Sequence, residues 1–188
     1  MKKILIFLSV WALFTSAETS TGIPDCYKHV DQVLWVVSDV ENTMAKYKEL
    51  GFNQFKDLGQ VVVKSETNGY QEQVRLVCAN LGNANVTWVQ PEEGKSLFSD
   101  FHRKQGDGAM SLIHRFSDKS ELKKEIGRLD IIGINILEEI TIETEMGKLH
   151  FVLMNTQKEG KFILGFTHGD SGLNIHSGLN GGNRHAMK

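Results

Sequence analysis

Two stretches of the chain open alike, and this echo restricts the fold more than any other feature of the sequence. Ser38-Asp39 leads to Lys48-Glu49-Leu50-Gly51, and Ser117-Asp118 leads to Lys124-Glu125-Ile126-Gly127. Each Ser-Asp pair follows a strand-like run and precedes a helix-like one. Val33-Leu34-Trp35-Val36-Val37 is continuously β-branched, aliphatic or aromatic, as in a buried strand. Ser38 and Glu41 have capping-box spacing: the Ser38 hydroxyl can accept a first-turn N–H while Glu41 reaches back. The helix that follows carries Val40, Met44, Tyr47 and Leu50 on one face and stops at Gly51. Strands are expected over 52–64, broken near Gly59, then over 72–81 and 85–90, the last ended by Pro91. Residues 92–108, charged and glycine-containing, read as a connector. The second half repeats the order. A strand over 111–116 precedes a helix with Leu122, Ile126 and Leu129 on one face. Strands follow over 130–142, 148–154 and 161–167, with turns at Gly147 and Gly160. The pattern predicts an α+β fold of two βαβββ modules pairing into a cup-shaped mixed sheet with helices outside.

The N-terminus sets the compartment. Lys2-Lys3, an apolar run from Ile4 to Phe14, and the small residues Thr15-Ser16-Ala17 form a cleavable export signal over 1–17. The apolar run is too short for a bilayer core, which takes about 20 residues. A periplasmic or secreted protein with no membrane attachment after cleavage is expected. Residues 18–28 form a leader, 29–168 the folded domain, and 169–188, rich in Gly, Asn, Ser and His, a loose tail. The 188 residues suit one domain. The formal charge of -2 shows no basic excess, which excludes nucleic acid as an expected partner. Cys26 and Cys78 remain in the exported part. A bond between them would close a loop of about 50 residues and stabilise by about 3–4 kcal/mol; two separate buried thiols are the other reading.

The opening Val30-Asp31-Gln32-Val33, Val36-Val37-Ser38-Asp39 and Tyr47-Lys48-Glu49-Leu50-Gly51-Phe52, with Val86-Thr87-Trp88-Val89-Gln90-Pro91, resembles the vicinal oxygen chelate superfamily. That group includes glyoxalase I, extradiol dioxygenases, methylmalonyl-CoA epimerase and bleomycin-resistance proteins. The resemblance implies a cup formed by the two modules with a ligand inside. It also implies four metal positions in the metal-binding members, one on the first and one on the last strand of each module. Here those positions fall on Gln32, on Thr87 where Glu is usual, on Ser111 where His is usual, and on Leu164 where Glu is usual. Only Gln32 is of a metal-ligating type, so no cofactor is expected.

Strand alternation puts Gln32, Thr87 and Ser111 on one inward face, a polar uncharged floor suited to a small organic molecule. Arg115 is expected on that face, where it could pair with a carboxylate; a solvated strand end is the other reading. Trp35 and Trp88 face the helices. His29 and His114 read as structural residues, and His168, His176 and His185 match no compact metal spacing. The expected function is metal-independent binding of a small organic ligand, in the manner of bleomycin-resistance proteins. The alternative is a metal-dependent glyoxalase-type lyase or isomerase, with Glu143 or His150 as a displaced ligand. A bare structural or interaction module is a third reading. Whether one chain or two forms the cup is left open, which keeps a homodimer among the readings.

Overall fold

The computed structural model describes residues 24–82, 84–145 and 147–169. The expected signal over 1–17, the expected leader up to residue 23 and the expected tail from residue 170 lie outside them.

The elements follow the order β1 (Gln32–Val36), α1 (Val40–Glu49), β2 (Phe55–Ser65), β3 (Gln71–Leu81), β4 (Ala84–Gly94) and α2 (Leu97–Gln105). The second module runs β5 (Gly108–Phe116), α3 (Lys119–Ile131), β6 (Ile136–Thr144), β7 (Gly147–Met154), the single turn α4 (Gln157–Gly160) and β8 (Ile163–His168). Both modules have the same internal order: β1-β4-β3-β2 and β5-β8-β7-β6. Parallel pairing joins the first strand of each to its last. Antiparallel pairs β1/β5 and β2/β6 then close the two half-sheets into one eight-stranded barrel.

Side-chain alternation sorts the apolar residues into three layers. Leu34, Val36, Val63, Leu76, Val89, Ile113, Ile140, Phe151, Leu153 and Ile163 fill the barrel. Val77, Val86 and Trp88 pack outside it under α1, where the Tyr47 ring meets Trp88 edge-on at 4.8 Å. Phe116, Val152, Met154 and Phe166 pack under α3 with Leu122 and Leu129. Trp88 thus faces a helix, as alternation predicts. So does the partly buried Trp35.

Several local expectations change. Asp39, not Ser38, caps α1, accepting Asn42 N–H at 2.8 Å. Ser38 instead donates its backbone N–H and hydroxyl to Asp107, at 2.9 and 3.1 Å. Leu50 is 73% exposed and leaves the predicted face. Pro91 does not end β4, which runs to Gly94. Beyond Val89 the β1 side of β4 is no longer paired, so the N–H that proline lacks is not needed there. Residues 130 and 131 belong to α3, which passes through Gly127 before the left-handed Gly133 (φ 84°) follows it. Residues 25–28 of the leader form a 3-10 turn, and Cys26 and Tyr27 pack against the layer under α3. The largest departure is α2, inside the expected connector. Its Phe98 and Phe101 are buried in the barrel core and plug one end.

Candidate functional site

Gln32, Thr87 and Ser111 do share the inner face of the barrel, at 5%, 2% and 1% exposure. The Gln32 amide donates to the Thr87 hydroxyl at 2.6 Å, and the Cys78 thiol lies 3.1 Å from the same oxygen. Gln32 stands opposite Ile113 in the β1/β5 register and Ser111 opposite Leu34, so the two polar residues are diagonal neighbours with aliphatic side chains between them. The Ser111 hydroxyl is buried without a hydrogen-bond partner. Around this polar seam the barrel is packed with the aliphatic residues named above, and none of the three lines the cleft described below. Arg115 does not join them. Its guanidinium donates to the Gly169 carbonyl at 3.3 Å, and it lines a surface cleft beside α3 with Cys26, Glu121 and Arg128. The strand end is where alternation stops being enforced, because no neighbouring layer holds the side chain.

Placing Ser38-Asp39 on Ser117-Asp118 makes Ser111 the counterpart of Gln32. The parallel registers then fix the counterpart of Thr87. Gln32 pairs with Asn85 and bonds two residues on; Ser111 pairs with Ile163, and two residues on is Gly165. A Cβ on Gly165 would lie 2.8 Å from the Ser111 hydroxyl and 2.1 Å from Ile113 Cδ1. Leu164, the position expected from the sequence, faces the layer under α3 instead. The four positions are therefore Gln32, Thr87, Ser111 and Gly165, with neither carboxylate nor imidazole among them, and Gln32 spends its amide N–H on Thr87. This set does not fit a divalent cation, which takes charged or imidazole groups. Among the described residues no three His, Cys, Asp or Glu side chains converge on another cation site. Glu143 is instead held by Lys64 and Lys148, at 3.3 and 3.0 Å, and His150 faces outward beside Glu139. His114 donates its Nδ1–H to the His29 carbonyl (2.6 Å), a structural role. The thiols of Cys26 and Cys78 stand on opposite sides of the sheet, one under α3 and one inside the barrel, as free groups.

Polar chemistry gathers at the end that α2 plugs. Here β2 ends at Ser65, β3 begins near Glu72, and β6 begins with a bulge between Ile136 and Glu138. The bulge turns both Leu137 and Glu138 towards the barrel mouth. Glu138, 3% exposed, accepts from the Ser65 hydroxyl, from the Asn68 amide at 2.6 Å and from the Tyr70 hydroxyl at 3.1 Å. Tyr70 in turn accepts the Leu97 N–H at 3.1 Å, which ties the first turn of α2 to the network. Desolvation raises the Tyr70 hydroxyl above its ordinary pKa, with the neighbouring carboxylates adding to the shift. It therefore stays a donor at any physiological pH.

Glu72 lies beneath the same turn at 2% exposure, and neither of its oxygens has a hydrogen-bond partner. Burial pushes its pKa up to about 7; the nearby Ser99 hydroxyl opposes this and the Asp100 carboxylate adds to it. Ser99 is geometrically committed elsewhere: it accepts from the Ser96 N–H and donates to the Ser96 carbonyl. Between α2 and the mouth opens a cleft of about 510 Å³. Leu97, Phe101 and Leu137 make its apolar wall, and Asn68, Tyr70 and Glu138 its polar one, with Lys95 and Lys104 at the edge. The sequence reading missed this group. Its one visible signal was Phe98 and Phe101 at helical spacing ahead of Gly106.

The sequence matches no protein-family model and no curated protein. Solved structures do resemble it. A methylmalonyl-CoA epimerase variant from Streptomyces coelicolor, in complex with 2-nitronate-propionyl-CoA, superposes with a TM-score of 0.53 at 13% identity, over 76% of this chain and 94% of that one. The chain has the fold of methylmalonyl-CoA epimerase. A second epimerase structure, in complex with methylmalonyl-CoA and NH4+, gives 0.51 at 15% identity over 76% and 94%. The hypothetical protein BH1468 from Bacillus halodurans gives 0.53 at 14% identity over the same shares. The epimerase belongs to the vicinal oxygen chelate superfamily, so the fold agrees with the resemblance read from the sequence. At these identities the likeness establishes the fold alone.

Proposed function

We propose that this is an exported protein that binds a small organic molecule, without a metal ion, in the cleft between α2 and the barrel mouth. The observation that carries the reading is the cleft itself. About 510 Å³ lies within the range of small-molecule sites, and an apolar wall facing a few fixed polar groups is their usual make-up. Two supports are weaker. The solved epimerases of this fold are in complex with 2-nitronate-propionyl-CoA and methylmalonyl-CoA. The four positions where metal-binding relatives carry ligands hold none of the anionic or imidazole groups that a cation wants. Export rests on the signal over 1–17. Gln32, Thr87 and Ser111 act in this account as a polar seam that fixes the register of β1, β4 and β5, and Arg115 stands apart from the ligand.

A second reading is turnover by a glyoxalase-type lyase or isomerase. Glu72 favours it, since a buried carboxyl titrating near neutrality can exchange a proton at working pH.

The test is a thermal-shift panel of small organic acids, esters and carbonyl compounds on the purified protein, with and without a chelator. A ligand that raises Tm by several degrees equally in both conditions, and no longer does so once Leu97→Trp fills the cleft in a variant with unchanged circular dichroism, is the expected result. Stoichiometric metal in the purified protein, or a shift abolished by the chelator, would overturn the metal-free reading.

A further inference from the structure

The charges lining the cleft narrow the ligand further. Glu138 is a carboxylate at the buried wall, with three hydrogen bonds holding it in place. Asp100, the other carboxylate of the lining, is ion-paired with Arg103 at 2.6 Å. Lys95 and Lys104 are exposed at the edge, and no ion pair of either occurs among the described residues. The cleft therefore has an anionic inner wall and a cationic edge, separated by Leu97, Phe101 and Leu137.

Each simple ligand class leaves part of this arrangement uncompensated. A neutral molecule meets neither charge. A plain anion gains the lysines but brings its charge into a cleft that already holds Glu138. A plain cation does the reverse. Charged groups are favoured where the partner's potential is complementary, and like charges brought together cost binding. A molecule carrying both signs, with an apolar body between or beside them, answers all three walls.

Resting on the cleft as the binding site, we infer that the ligand is a small aminocarboxylate with an apolar side chain. Its ammonium points to Glu138, and its carboxylate meets Lys95 and Lys104. The side chain lies against Leu97, Phe101 and Leu137, where Tyr70 adds an aromatic face. Glu138 retains acceptor capacity for one more donor, because a carboxylate offers about four lone-pair sites and three are used.

The experiment is titration of the isotopically labelled protein, read by amide chemical shifts, with phenylalanine and leucine as probes. Two capped relatives of phenylalanine accompany them: the N-acetyl form, which lacks the ammonium, and the carboxamide, which lacks the carboxylate. The free amino acids should perturb residues 68–70, 95–105 and 137–138. Each cap should weaken binding at least tenfold. The Lys95→Ala/Lys104→Ala double variant touches only exposed side chains and should fold; it should bind phenylalanine and its carboxamide equally. Glu138→Gln should likewise erase the difference between phenylalanine and its N-acetyl form. If the capped forms bind as well as the parent, or if none of the four probes binds, the aminocarboxylate is wrong. The cleft itself still stands if other panel compounds perturb those same residues. Perturbations confined to other parts of the barrel would sink both.

Discussion

A carboxyl group buried without hydrogen bonds keeps its proton to higher pH than one in water, and Glu72 is such a group. In the unfolded chain it titrates near its ordinary 4.5; in the folded protein burial moves it to about 7. Between those values the native state holds a proton that the unfolded state has lost, so the contribution to stability falls as pH rises from about 4.5 to about 7. Below this window the group has no effect, and above it the full penalty applies. Glu72→Gln keeps the shape and removes the charge. The variant should match the parent at pH 4.5 and exceed it by about 2–3 kcal/mol at pH 8 in urea unfolding. Equal stability at both pH values would show that Glu72 ionises freely in the fold. Residue-scale features of this kind were only partly legible in the sequence. Alternation put Gln32, Thr87 and Ser111 on the inner face because each is paired to a neighbouring strand on both sides, Gln32 even as the first residue of β1. It failed for Arg115 near a strand end. It gave no sign of Glu138, because the bulge that aims it inward depends on the β7 partner and not on its own neighbours.

At the scale of elements, strands were easier to read than helix limits. The β-branched runs and glycine turns marked the strands, because every other residue of a strand must be apolar to fill the barrel. The echo of Lys48-Glu49-Leu50-Gly51 in Lys124-Glu125-Ile126-Gly127 misled about α3. Gly51 takes a φ of 96° and ends α1, whereas Gly127 lies within α3, and a Cβ there would meet nothing within 4 Å. Gly127→Ala should therefore stabilise the protein by about 0.5–1 kcal/mol, with an unchanged m-value in urea. A loss of stability would mean that the helix breaks at this glycine. Helix α2 was hidden for a different reason. Its exposed side is charged, and only two phenylalanines are buried, so composition favoured a loop until the barrel mouth gave those rings a place to go.

For the whole molecule, the repeated module explains both the closure and the position of the cleft. Two half-sheets of identical order can pair at both edges, which leaves the barrel with no open strand and fills its interior with aliphatic side chains. Aliphatic side chains occupy the barrel interior, and the proposed binding site lies at the end where α2 meets Tyr70, Leu137 and Glu138. The most direct test is to map a bound panel compound by amide chemical shifts in the presence of a chelator. The shifts should concentrate at 68–70, 95–105 and 137–138 and be indifferent to the chelator. Shifts centred on Gln32, Thr87 and Ser111, or binding that requires an added divalent metal, would contradict it.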